Sequence, residues 1–298
     1  MVNEPERIAV SLTLGALLEV SSWPKPGNVH RTRDFDDTRF EHFLASAVAA
    51  QPVLREVAEM ATRGERVPLG RYLYEAVRHS MSAHTGGNTN LGILLLDVLL
   101  ASALARASLD PSDVRREALK LAKETEERDA YYLYRAIRLA GAGGMRRIRG
   151  SRAPDVSRPE DVLEKGITMY EALQAAAHRD AVAEDWVRGL ERSLRIGLRV
   201  IELREEYDIN EAVVRTFLEE LATRPDTLIW RKHGFRVALR VSEAAQEILR
   251  IAGDRPVTET RALYELDREL HEDGINPGST ADLLAAGVGY ACYLGMRP

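Results

Sequence analysis

Three stretches of this chain are apolar almost all the way round a helix: residues 91–105, part of 237–251, and 283–294. A helix without a polar face has to be surrounded by others, so each stretch predicts a central helix of a bundle. The longest, 91–105, is interrupted by Asp97 and falls short of the ~20 residues that span a bilayer, which makes it a buried helix. Elsewhere apolar residues recur at helical spacing, as in Tyr72, Leu73, Ala76, Val77, Ser80 and Met81, and in Leu190, Leu194, Leu198 and Ile201. Strand-like alternation is nearly absent. The pattern predicts an all-α, single-domain bundle of about a dozen helices over residues 1–298, arranged around central apolar ones.

Composition narrows the function classes. A net charge of −5 leaves no chain-wide basic field for a nucleic-acid backbone. The single cysteine, Cys292, excludes a disulfide framework and any multi-cysteine metal site. Residues 1–7 carry two glutamates and do not open like a signal peptide, so a cytoplasmic protein without a membrane partner is expected.

The breaks between helices carry unusual polar residues. The first contains Lys25, Asn28, His30, Arg31 and Arg33, stiffened by Pro24 and Pro26, followed by Asp34, Asp36 and Asp37. Cations beside carboxylates suit an anionic, metal-bound ligand such as a nucleotide polyphosphate with Mg²⁺. Taken alone, Asp36 or Asp37 reads as the cap of a helix starting near Thr38. The second break runs His84, Gly86, Gly87, Asn88, Thr89 and Asn90 into the apolar helix at 91. Paired glycines at a helix start make an anion site, although Thr89 or Asn90 also serves as an N-cap. No Lys-Ser/Thr follows the glycines, so this is not a Walker A loop.

A third break, 141–152, holds Arg146, Arg147, Arg149 and Arg152 and reads equally as a phosphate flap or a basic loop without a role. The fourth places Asp226 and Thr227 before Arg231, Lys232 and His233, where Asp226 also fits an ordinary helix start. In the fifth, Ser279 reads as an N-cap with Asp282 as its capping-box partner, or Asp282 faces inward to hold a metal or act as a base. His42, His79, His178 and His271 show no second ligand at metal spacing. Tyr131, Tyr132 and Tyr134 read as helix packing.

Together these motifs resemble the triphosphoribosyl-dephospho-coenzyme A synthase family, from the Pro-Lys-Pro-Gly loop at 24–27 through Asn88-Thr89 and Asp226-Thr227 to the Ser-Thr-Ala-Asp-Leu-Leu-Ala block at 279–285. The resemblance covers nearly the whole chain. It implies an all-α transferase in prosthetic-group biosynthesis for citrate lyase and malonate decarboxylase. In that reaction a hydroxyl of 3'-dephospho-CoA displaces adenine from the ribose C1' of ATP, with Mg²⁺ on the triphosphate. Carried over, catalytic candidates are Asp34, Asp37, His84, Asp226 and Asp282. Binding candidates are Lys25, Asn28, His30, Arg31, Asn88, Thr89, Asn90, Thr227, Arg231 and Ser279, and Asp37, Asp226 and Asp282 are candidates for the metal. Where bacterial members read Pro-Gly-Leu-Val-Asp and Asn-Thr-His-Lys-Gly, this chain has 26–30 Pro-Gly-Asn-Val-His and 88–92 Asn-Thr-Asn-Leu-Gly. It resembles a divergent, archaeal-like branch whose acceptor is open to change. Two other classes compete. One is a Mg²⁺-dependent prenyl-diphosphate enzyme using Asp36, Asp37 and Glu41 with Asp267, Glu272 and Asp273. The other is a non-catalytic helical scaffold.

Overall fold

Short polar side chains stop and start this chain in the way helix caps require. Asn3, Asp110, Thr168, Asp180, Asp208 and Asp226 each accept a backbone N–H from the first turn that follows them. A computed structural model of the protein describes residues 3–141 and 155–298, and the arginines at 146–152, read equally as a phosphate flap or a basic loop without a role, lie outside them.

The first half contains α1 (Glu4–Ser21), α2 (Phe40–Thr62), α3 (Leu69–Ser82), α4 (Leu91–Leu104), α5 (Pro111–Lys123) and α6 (Glu127–Ala140). The short helices α7 (Glu160–Glu164), α8 (Met169–Ala176) and α9 (Ala181–Val187) follow. Then come α10 (Glu191–Leu203), α11 (Ile209–Thr223), α12 (Thr227–His233) and α13 (Phe235–Ala252), and last α14 (Arg261–Glu272) and α15 (Gly278–Tyr293). Among the described residues there is no β-strand, and the all-α bundle expected from periodicity is present. No described helix is long and apolar enough to cross a membrane.

Two of the three apolar segments are central. Nearly every residue of α4 and of α15 is buried, and α15 packs on α1, α4, α10 and α11. The third expectation is corrected: α13 buries one stripe, Ala238, Val241, Ala245 and Ile248, while Leu239 and Ile251 are about two-fifths exposed. Arg236, Arg240 and Arg250 on its other side make it an outer amphipathic helix.

Small residues set how closely the central helix is approached. A Cβ on Gly15 of α1 would lie 2.3 Å from the Gly289 nitrogen of α15, and one on Gly197 of α10 would lie 2.5 Å from the Gly287 oxygen. Both positions therefore exclude any side chain; overpacking there would cost about 1–3 kcal/mol. With α1 and α10 drawn against α15, the N-terminal ends of α4 and α15 meet at one end of the bundle, and the functional loops gather there.

Candidate active site

A cavity of about 860 Å³ opens at that end, within the size range of small-molecule sites. One wall is apolar, made of Leu133 and Ile137 from α6, Leu173 and Ala176 from α8, and Val182 from α9. The other wall is charged and polar, and draws on four of the five polar breaks: Lys25, Asn28 and Asp37; Asn88 and Thr89; Arg231 and Lys232; Ser279 and Asp282. Gly141 and Asp155, which flank the undescribed segment, line it as well.

Local structure explains how these side chains arrive. The first and second loops are joined where the Gly87 N–H donates to the Asp37 carbonyl at 3.0 Å. Thr89 donates its hydroxyl to Ser46 at 2.9 Å, which in turn meets Ser80. Lys25 is 1% exposed and forms a buried ion pair with Glu19 of α1. Burial raises the Glu19 carboxyl, and the neighbouring ammonium opposes that rise. Arg231 is held by Asp180 at 2.6 Å and by the Arg179 carbonyl at 3.2 Å. Among the cations lining the cavity, Arg179 and Lys232 have no ion pair with a described residue.

Asp226 is a structural residue. Its Oδ1 accepts the Leu228 and Ile229 N–H groups at 2.8 and 3.0 Å, and its Oδ2 accepts the Thr280 N–H and hydroxyl, both at 2.8 Å. It thereby caps α12 and the first turn of α15 together. That bond replaces the cap expected of Ser279, which has none, and the expected capping box with Asp282 does not form. Ser279 accepts instead from the Thr227 hydroxyl at 3.0 Å, and Thr227 accepts the Ala181 N–H at 3.0 Å.

With the helix start capped from elsewhere, Asp282 turns to the cavity wall. Its carboxyl forms no hydrogen bond or ion pair with a described residue, and sits where Gly92 of α4 has no side chain: a Cβ there would lie 2.1 Å from Oδ2. Burial, reinforced by the negative charges of Glu19, Asp180 and Asp226, holds this carboxyl well above its ordinary range. It therefore keeps its proton under conditions where an exposed aspartate has lost it.

Several expected site residues lie elsewhere. Asp34 accepts the Phe40 N–H at 2.7 Å, so it and not Asp36 or Asp37 supports the start of α2, two residues later than expected. Arg31 is exposed, stacked 5.8 Å from the Trp23 ring. His84 stacks on His42 at 5.2 Å and its imidazole pKa is lowered by burial and by that neighbour. Asn90 points its amide at the Phe43 carbonyl, 3.4 Å away. None of these four side chains lines the cavity. Asp37, Asp226 and Asp282 do not converge as a metal triad. Among the described residues the group whose ligand atoms lie within 4.8 Å of one another is His30, Asp267 and His271. His30 thus faces away from the cavity, and Asp267 is unavailable as half of a prenyl-diphosphate motif.

Residues missed from the sequence include Glu19, Arg179, Asp180 and Asn276, all on the cavity wall. Asp180 carried a signal, since it caps α9 through Val182 and Ala183. Glu19 carried none, being one acid inside an apolar helix. Tyr134, expected only to pack, also lines the cavity.

The ATP:dephospho-CoA triphosphoribosyl transferase family model matches residues 5–296. Relatives include a Pseudomonas fluorescens protein, 28% identical over 95% of this chain and 90% of its own length. The 2-(5''-triphosphoribosyl)-3'-dephosphocoenzyme-A synthase of Pectobacterium atrosepticum is 26% identical over 96% of this chain and 87% of its own. A crystal structure from Archaeoglobus fulgidus, of a protein given the name triphosphoribosyl-dephospho-CoA synthase, aligns with a TM-score of 0.68 at 29% identity. That alignment covers 87% of this chain and 100% of the other.

Proposed function

The chain belongs to the ATP:dephospho-CoA triphosphoribosyl transferase family, and on that premise we propose that its cavity holds ATP and 3'-dephospho-CoA together while the triphosphoribosyl group passes between them. The C1'–N9 bond of ATP breaks, a bond forms from C1' to the acceptor hydroxyl oxygen, and the hydroxyl proton ends on adenine. No electrons are exchanged with any other group.

The single observation that carries the residue assignment is the Asp282 carboxyl, half-buried, without a hydrogen-bond or ion-pair partner among the described residues, and facing the cavity in the space left by Gly92. A carboxyl kept protonated is a general acid, and its conjugate base is a general base. Asp282 delivers its proton to a ring nitrogen of the departing adenine. The resulting carboxylate stabilises positive charge developing at C1' and then takes the proton of the attacking hydroxyl, so the residue ends as it began.

The N-terminal end of α4, which has no side-chain cap, faces this cavity and favours an anion there. The unpaired Arg179 and Lys232 add charge for the triphosphate, while Lys25 and Arg231 are already neutralised by Glu19 and Asp180. Two cations are too few for a triphosphate, and the Asp37 carboxylate on the wall fits a Mg²⁺ carried with it. When bound, that ion neutralises phosphate charge. The apolar wall of Leu133, Ile137, Leu173 and Ala176 receives the flat or methylene-rich parts of the substrates.

Incubating the pure protein with ATP, Mg²⁺ and 3'-dephospho-CoA and separating the products by chromatography tests this reading. Free adenine in equal amount to the ribosylated acceptor is expected. ADP without adenine would overturn it.

A further inference from the structure

Behind the stretch of cavity wall formed by Phe35, two histidines distant in sequence close on one carboxylate. His30 Nε2 lies 3.3 Å from both Asp267 oxygens, and His271 Nδ1 lies 3.1 Å from Asp267 Oδ1. All three side chains are at most 6% exposed. Two atoms each ~2.1 Å from one ion and separated by near-tetrahedral to octahedral angles are about 3.0–3.4 Å apart, which is the spacing found here. The outer contacts fit as well. His30 Nδ1 is engaged by the Thr32 hydroxyl at 3.1 Å, which orients the ring so that Nε2 faces the carboxylate, and Gly27 N–H donates to Asp267 Oδ1 at 3.2 Å. Phe35 stacks on His271 at 4.8 Å and walls off one side. His271 Nδ1 also lies 3.0 Å from the backbone carbonyl of Asp267, a contact that ligation through this nitrogen gives up.

We propose that His30, Asp267 and His271 form a binding site for a late first-row divalent cation such as Zn²⁺, separate from the substrate cavity. Two imidazoles and one carboxylate are the ligand set such ions prefer, whereas Mg²⁺ takes oxygen. The Arg33 guanidinium, 3.8 Å from Asp267 Oδ2, is more than one-third exposed and turns to solvent when the cation enters. The role is structural. The ion ties α14 to the loop whose other face presents Lys25, Asn28 and Asp37 to the cavity, so it fixes that loop before substrate arrives. The site stands on its own residues and does not depend on the transferase reading.

The test uses full-length protein stripped with a chelator and titrated with Co²⁺ in the absence of nucleotide. One equivalent should develop the visible bands of a nitrogen-ligated cobalt. Zn²⁺ at a hundredfold excess over its Kd should raise the Tm by roughly 5 °C. Asp267→Asn, close in shape to the native residue, and His271→Ala should each weaken Co²⁺ binding at least tenfold, while Asp282→Asn binds as the unaltered protein does. X-ray absorption on the unaltered Zn²⁺-loaded protein should show two imidazoles, which keeps the test independent of whether the variants fold. No bands, an all-oxygen shell, unchanged affinity in Asp267→Asn and His271→Ala, or binding lost in Asp282→Asn would each overturn the proposal.

Discussion

Adding one methyl group at Gly92 separates the chemistry from the fold. The new Cβ would lie 2.1 Å from Asp282 Oδ2 and 2.5 Å from its Cγ, whereas real contacts of this kind begin near 3.0 Å. The carboxyl must therefore move by roughly 1 Å, a displacement that costs on the order of 10²-fold when the group has to meet a reacting atom. The helix itself gains, because alanine is favoured over glycine inside a helix by about 1 kcal/mol. The clash is with the end of a side chain that borders a cavity, so it is relieved by rotation. Gly92→Ala should lower kcat for adenine release by about a hundredfold and leave the Tm within a few degrees of the parent. The assay is chromatographic adenine release at saturating ATP and dephospho-CoA, with a thermal melt of the same sample. Full kcat in Gly92→Ala would refute the placement of Asp282 at the reacting centre, and global unfolding would refute the reasoning about space.

Other substitutions report on the groups around it. Asp226→Ala removes a carboxylate that receives four donors, so a urea melt should show a loss of about 2–4 kcal/mol. Lys25→Met leaves Glu19 buried without its cation and should cost about 3 kcal/mol, most of it recovered when Glu19→Leu is added. Asp97 sits 2% exposed on α4 with an oxygen lacking any partner, and burial raises its carboxyl well above the ordinary value. A raised folded-state pKa gives stability that is complete below the unfolded value near 4 and is lost as pH rises towards the folded one. Asp97→Asn should therefore gain on the parent by about 1.4 kcal/mol per pH unit in that window, in urea melts at stepped pH.

The central helices were legible because α4 and α15 have no polar face, and a chain has few ways to bury such a helix. The segment at 237–251 misled because its leucines and isoleucines alternate with arginines around the helix, and only the neighbours decide which face is covered. Proline, glycine and short polar residues marked the loops correctly, and each of the five predicted polar breaks contributes at least one described residue to the cavity lining, the third through Gly141 alone. The division of labour among the aspartates was not legible. Asp226 and Asp282 both look like capping residues in sequence. Only the bond from Thr280 back to Asp226, 54 positions away, shows which is occupied and which is released. The pairing of His30 with Asp267 spans 237 positions and has no local signature, whereas Asp267 and His271 stand four apart on α14, a spacing that was legible and was passed over.

Adenine release by Asp282→Asn is the most direct measurement of the central claim. The amide keeps the size of the carboxyl and cannot carry its proton, so kcat should fall at least a hundredfold, with ATP binding and Tm retained. A variant that releases adenine within a few-fold of the parent rate would contradict the assignment of proton transfer to this residue.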